Sequence, residues 1–506
     1  MSEQMTGWFF DDIASNPLLE GLFAPKTRVE WAEHLRYDPR AEWGVLKSSQ
    51  VVLAVNQIRR VFAPTATQAE AACALYEMLY QGLIARDPRL AVNRQRVYEH
   101  GRFKGTKLSD LPWFPTYAAG MMLRGITKQG KSHVVQRVLD AIPQTFVRPK
   151  NEECGWIELK QLVHMTVPMP SDSSRKGFLL SAFMEIDRLL GTTYATDYGG
   201  KTLSVEIQLV ALLNVLGAHR CGLFVVEEAQ AENLATAKFG REFVLFFLRV
   251  LNFGIPMLLI GNPRAFEEID KNSQDLSRLS DAGSFALDPV THHMSPMWRR
   301  DIMPHLWGWT LGIEDAPIEH VNRIVWEYTG GFPGYVARLR RETLLECRRK
   351  GLDRVEECHI HAAYRSASMT PLHPIIEAFS KKDVLALRTL KDVPVAYFER
   401  KWAAEVEAAR VAAERAAALA KLSDGAEPGS APADAGSGDP KVDADGPAGS
   451  PASAIGPDSN GGDKPKAAPR VPRKRAVKPV ELSNDDLRSP ASVKRLGDKL
   501  ETGAAP

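Results

Sequence analysis

The run Gly125-Ile-Thr-Lys-Gln-Gly130-Lys131-Ser132 has the spacing GxxxxGK[ST]. Each residue type in it suits the binding of a polyphosphate. Gly125 and Gly130 let the backbone turn N–H groups inward, with Thr127 on the loop between them. Lys131 places a cation on the terminal phosphates, and the Ser132 hydroxyl is a magnesium ligand. An apolar run, Tyr117–Arg124, precedes the loop, and a helical pattern follows that aims its positive end at the anion. A Gly-rich turn with Lys131 in solvent would carry the same string.

Two further runs end in polar groups. Leu223-Phe-Val-Val-Glu-Glu-Ala-Gln230 reads as a strand closing on adjacent carboxylates. At the carboxyl edge of a parallel sheet, Glu227 would hold the magnesium shell and Glu228 would polarise an attacking water. Glu227 stands where an Asp is usual, and the extra methylene alters metal geometry in a way that would slow hydrolysis. Ile255-Pro-Met-Leu-Leu-Ile-Gly-Asn262 is a second such strand. Asn262 would bond the water or the γ-phosphate, or else cap the turn before Pro263. Arg278, in Asp275-Leu-Ser-Arg-Leu-Ser280, is a candidate for an arginine given to a neighbour's site; Arg264, Arg299 and Arg300 compete with it. Arg338, after Thr329-Gly-Gly-Phe-Pro-Gly334, is a candidate lid arginine.

These residues need a sheet to bring them together. Strand patterns at Ala118–Arg124, Gln161–Pro168, Gly222–Val226, Pro256–Gly261 and Gly283–Val290 alternate with helical patterns at Ser132–Ile142, Arg175–Leu190, Val205–Leu216 and Phe239–Asn252. That alternation predicts an α/β fold with a parallel sheet between helices. Beyond Pro289 the pattern is helical, through Val321–Thr329, Tyr335–Lys350 and Val355–Ala367, with an Ala-, Glu- and Arg-rich helix at Phe398–Leu422. The expected domains are an N-terminal helical extension (1–100), a nucleotide-binding α/β domain (101–295), a helical lid with C-terminal helices (296–422), an acidic linker (423–463) and a basic tail (464–506). The linker holds eight acids, one Lys and no aromatic residue, a composition that predicts disorder. The tail has a basic island from Lys464 to Lys478 and a short helical pattern at Ser483–Leu500.

Composition narrows the classes. The 506 residues carry 64 Lys and Arg against 62 Asp and Glu, so a uniformly basic DNA-coating protein is excluded, whereas local patches are not. Five scattered cysteines have no CxxC spacing, which predicts neither a zinc site nor a disulfide framework and points to a reducing cytoplasm. The most apolar stretch, Phe243–Ile260, is broken by Arg249, Asn252, Gly254 and Pro256, so no membrane span is expected.

Phosphate loop, paired acids and polar amide on successive strands, followed by helices, are the layout of an AAA+ ATPase. Within that class the chain resembles the transposition-regulator ATPases of the TnsC/TniB type. The likeness rests on Arg60-Val-Phe-Ala-Pro-Thr65, Gln161–Gly177, Gly191-Thr-Thr-Tyr194, the two strand motifs, Met369-Thr-Pro-Leu372, Asp392-Val-Pro-Val395 and Trp402. It implies ATP and Mg2+ as cofactors, Lys131 and Ser132 as the phosphate-loop pair, Glu228 as the water-polarising acid and Asn262 as the polar residue of the sensing strand. It further implies homo-oligomeric rings or filaments on duplex DNA, a target-selection protein and transposase subunits as partners, the latter through the C-terminal tail, and a bacterial cytoplasmic setting. Lys201, in Tyr198-Gly-Gly-Lys-Thr202, is the candidate DNA-phosphate contact; a solvated loop lysine reads the same. Two other classes share such an ATP site: another AAA+ machine, such as a helicase loader or initiator, and a nucleotide-dependent defence or signalling switch without DNA. No winged-helix, effector or repeat-sensor pattern follows Trp402, which favours the transposition reading.

Overall fold

Apolar residues alternate along the long strands and sort onto two faces of one sheet. On β1 (Gly120–Gly125), Met122 joins the core on one face while Met121 and Leu123 join the core on the other. The same split places Phe224 and Val226 opposite Leu223 and Val225 on β5 (Leu223–Ala229), and Met257 and Leu259 opposite Leu258 and Ile260 on β6 (Met257–Gly261). A sheet buried on both faces requires the near-continuous apolar runs seen in these strands. The structure is a computed structural model. It describes residues 13, 15–43, 48–103, 118–170, 174–200, 202–229 and 237–424, except the side chains of 48, 49, 228, 229, 237–240, 242, 268 and 416–424.

The sheet has five strands in the order β4-β5-β6-β1-β7, with β4 spanning His164–Pro168 and β7 Ser284–Leu287. All its pairings are parallel. The expected single strand Gln161–Pro168 is in fact two. Leu159–Leu162 (β3) forms an antiparallel hairpin with Thr145–Arg148 (β2), and the chain enters the main sheet only at His164. Gln161 explains the break: its amide is buried between the Arg148 guanidinium (2.8 Å) and the Leu18 carbonyl (3.0 Å), partners outside the main sheet.

Helices cover both faces. In chain order the first are α1 (Arg28–Leu35), α2 (Ser48–Asn56), α3 (Ala66–Ala85), α4 (Ala91–Arg102), α5 (Lys131–Asp140), α6 (Arg175–Leu190), α7 (Tyr194–Tyr198), α8 (Val205–Ala218) and α9 (Ala237–Asn252). Residues of α6, α8 and α9 fill the core on one face, and those of α1, α3 and α5 fill the other. Two short helices, α10 (Glu267–Asp270) and α11 (Ser273–Leu279), lead to β7. The rest is helical: a wide-turned helix at Met297–Trp307, then α12 (Ile318–Glu327), α13 (Pro333–Arg349), α14 (Glu357–Tyr364), α15 (His373–Ser380), α16 (Val384–Leu387) and α17 (Val395–Asp424). This is the expected α/β class, a parallel sheet between helices, followed by the helices expected as a lid.

The lid has its own core, which includes Trp298, Trp307, Trp309, Phe332, Phe379 and Trp402, together with Val55 and Ile58 from the N-terminal segment. Arg340, fully buried, is held there by both Asp315 oxygens (2.7 and 2.6 Å), the Trp309 carbonyl (2.9 Å) and the Trp307 ring face. The Thr329–Gly334 turn and α12 bond the segment that leaves β7. The Val290 N–H donates to the Gly331 carbonyl (3.0 Å), and the Trp326 indole N–H donates to the Val290 carbonyl (2.7 Å). Gly331 has φ +77°, and a Cβ there would meet the Val290 oxygen at 2.0 Å, so only glycine fits. None of the described helices is long and apolar enough to cross a membrane.

Candidate nucleotide-binding site

Parallel pairing brings the polar strand ends to one edge. β6 lies between β1 and β5, and the register aligns Arg124, Gly261 and Ala229 across the three strands. The phosphate loop after β1, Asn262 after β6 and the Glu227–Glu228 pair on β5 therefore share the carboxyl edge, with β1 and β5 roughly 10 Å apart. The β5–β6 ladder slips between Val226 and Ala229, adding one residue to β5 at the two acids. Such a bulge breaks strict side-chain alternation, and bulges recur beside active sites. Glu227 is half-buried, and its carbonyl accepts from the Met169 N–H at 2.9 Å. Glu228 has a described backbone on β5, but its side chain lies outside the described residues.

The loop geometry fits its expected task. Gly130, the residue before α5, is left-handed with φ +83°. Lys128 is left-handed too (φ +69°), a conformation that costs a non-glycine residue about 1–2 kcal/mol. A Cβ on Gly125 would lie 2.7 Å from the Leu287 carbonyl on β7, which explains glycine there. Lys131 folds back so that its ammonium donates to the carbonyls of Gly125 (2.6 Å) and Ile126 (3.0 Å). Burial pushes its pKa down to about 8. Thr127 and Ser132 are exposed on the loop and at the start of α5.

A cleft of about 1150 Å³ opens over this edge. Thr127 to Ser132 form its floor and Asn262 one wall. Asn262 does cap the turn after β6, accepting from the Arg264 N–H at 3.0 Å. That bond takes the carboxamide oxygen, so what the side chain can present to a phosphate or water is its NH2. The two readings of Asn262 are thus compatible. Arg338 also lines the cleft, with a long bond to the Ser368 carbonyl (3.4 Å).

Sequence reasoning missed several lining residues. Ile58, Val61, Phe62 and Ala63 supply an apolar wall suited to a base, and Arg341, Lys391 and Asp392 face it from the lid side. Arg60-Val-Phe-Ala-Pro-Thr65 had marked part of that wall without revealing its place.

The remaining expected residues lie elsewhere. Arg278 is exposed on α11 and donates to the Asn252 carboxamide oxygen. Its carbonyl lies against Gly120, at the amino end of β1 and so opposite the phosphate loop, and it does not line this chain's cleft. Arg264, by contrast, lines its own chain's cleft and bonds the Lys391 carbonyl. Arg299 and Arg300 are exposed on the wide-turned helix. Lys201, the linker beyond Asp424 and the tail lie outside the described residues.

Comparison with known proteins adds little. No family model matches the chain, and no curated protein matches it. Among solved structures, it is similar to the ORC1 protein of Aeropyrum pernix in complex with DNA (14% identity, TM-score 0.35, covering 60% of this chain and 72% of that one). It is similar also to the Aeropyrum pernix ORC2 protein in ADPNP–ADP complexes (14%, 0.32, 53% and 65%). A third is Drosophila ORC bound to DNA (12%, 0.33, 67% and 84%). Likeness at that level carries no functional argument; the site's own geometry does.

Proposed function

We propose that this chain is an ATP-dependent AAA+ regulator of DNA transposition, which oligomerises on target DNA and links a target-selection protein to the transposase. The observation that carries the ATPase part is the meeting, in one cleft, of the phosphate loop, the Asn262 amide, the lid's Arg338 and an apolar N-terminal wall. The triphosphate would lie along the loop, with Lys131 exchanging its two carbonyl partners for phosphate oxygens. The base would rest against Val61 and Phe62. Asn262 would direct its NH2 at the γ-phosphate or the attacking water, and Glu228 would accept that water's proton. Ser132 and Glu227 would hold Mg2+, which when bound neutralises charge building on the β- and γ-phosphates. The exposed hydroxyl at the start of α5 and a half-buried carboxylate on the same sheet edge are suitable oxygen ligands.

The transposition part rests on the family-like segments, several of which bear on this site. Arg60–Thr65 supplies cleft wall, Asp392 faces the cleft, and Met369, Val393 and Trp402 belong to the lid core. Arg278 would complete a neighbour's site, making hydrolysis depend on assembly. Electron microscopy of the full chain with duplex DNA tests this reading. Regular rings or filaments should form with a nonhydrolysable ATP analogue and vanish without it; bare DNA in both conditions would overturn it.

A further inference from the structure

The phosphate loop does not hold its own shape unaided. Two of its consecutive carbonyls are bonded from outside. The Gln129 carbonyl accepts from the Gln68 side-chain Nε2 at 3.1 Å, and Gln68 lies on α3. The Lys128 carbonyl accepts from the Gly334 N–H at 3.2 Å, and Gly334 lies at the start of lid helix α13. A trans peptide points its C=O and the next residue's N–H in opposite directions. Holding these two carbonyls outward therefore turns the N–H groups of Gln129 and Gly130 away from α3 and α13. The Gly130 N–H makes no hydrogen bond among the described residues, and the Gln129 N–H only weakly closes the turn at 127–128 on the Ile126 carbonyl. These are the donors that a phosphate would take.

Gln68 is well placed for this. It is 4% exposed, and Gln129 is 3% exposed, so water does not substitute for their bond. Both Gln68 partners are backbone groups, which fixes the amide's orientation. Its oxygen accepts from the Thr65 N–H (2.9 Å), a donor, and its nitrogen faces the Gln129 carbonyl, an acceptor. Gly130 is tied to the same contact, since a Cβ there would come within 3.0 Å of that nitrogen. On the lid side, a Cβ on Gly334 would lie 2.8 Å from the Lys128 Cβ and 3.0 Å from its carbonyl oxygen.

We propose that Gln68 and Gly334 are positioning residues for the phosphate loop, presetting from two different helices the N–H groups that bind the β- and γ-phosphates. This rests on the ATP-binding reading above. It further makes phosphate affinity sensitive to where the lid and α3 stand.

Gln68→Glu separates positioning from folding. Glutamate keeps the oxygen that accepts from Thr65, completing the same capping box, but loses the donor toward Gln129. Gly334→Ala is the second variant, since alanine suits the helix yet forces the lid off Lys128. Titration calorimetry with ATP, ADP and AMP, alongside thermal melts of the nucleotide-free proteins, gives the readout. Expected are ATP and ADP affinities lowered about tenfold or more in Gln68→Glu, AMP affinity unchanged, and a melt that stays a single cooperative transition, though at a lower temperature because a buried carbonyl loses its donor. Gly334→Ala should show the same pattern. Equal losses for AMP, or wild-type ATP affinity in both variants, would overturn this inference alone. A wild-type chain that binds no ATP would overturn the reading beneath it.

Discussion

Lys131 sets a pH dependence that can be worked out in advance. Its ammonium is half-buried against the Gly125 and Ile126 carbonyls, and burial holds its pKa at about 8, against an ordinary 10.5. A triphosphate beside it favours the charged form, so its pKa in the complex lies well above that of the free protein. Binding then takes up a proton wherever the free lysine has lost one. Affinity is flat below pH 8, falls about twofold at pH 8 and about tenfold by pH 9, and keeps falling tenfold per unit until the bound lysine itself titrates. Stability measured without nucleotide runs the other way. Its folded pKa is depressed, so between pH 8 and 10.5 the unfolded chain binds more protons and stability rises with pH. Calorimetry at pH 7 and pH 9, in buffers of differing ionisation enthalpy, reads the uptake directly: near zero at pH 7 and about 0.9 proton at pH 9. Lys131→Arg serves as the control, because its guanidinium stays charged throughout. Equal affinity and no proton uptake at pH 9 in the wild-type chain would refute the argument.

Four other outcomes are expected. Glu228→Gln should bind ATP like the wild type but turn it over at least about a hundredfold more slowly, as measured by phosphate release; unchanged turnover would place the base elsewhere. Arg278→Ala should keep ATP affinity and lose turnover, and mixing it with Lys131→Ala protein should restore activity, since each variant then supplies what the other lacks. Arg340→Ala should destabilise the lid by about 3–5 kcal/mol, read as a lower denaturant midpoint, because Asp315 is left without its partner. Ending the chain after Leu422 should spare ATP turnover and DNA assemblies while weakening transposase recruitment in a pull-down; lost ATP binding would show that the tail belongs to the fold.

Phosphate chemistry demands particular residue types in one unbroken run, so Gly125–Ser132 was readable directly, and the apolar runs before Glu227 and Asn262 marked neighbouring strand ends. The strand order was not readable, because no local pattern says that β6 comes between β1 and β5. The break at Val163 was hidden because Gln161 sits in a stretch whose apolar neighbours continue across it. Arg338 could be named but not placed, since its approach to the loop depends on how Gly330, Gly331 and Gly334 turn. Gln68 was invisible for a different reason. Thr65-Ala-Thr-Gln68 reads fully as a helix start, and a capping box uses only one end of the amide. The other end meets a loop far along the chain, which only tertiary structure reveals.

A cryo-electron microscopy structure of the full chain with duplex DNA, Mg2+ and a nonhydrolysable ATP analogue would show directly whether the phosphate loop holds the nucleotide. A triphosphate should lie between Lys131, the N–H groups of Gln129 and Gly130, and Asn262, with Arg278 of an adjacent copy reaching the γ-phosphate. A nucleotide bound elsewhere, or an occupied loop with Lys131 still folded onto Gly125 and Ile126, would contradict it.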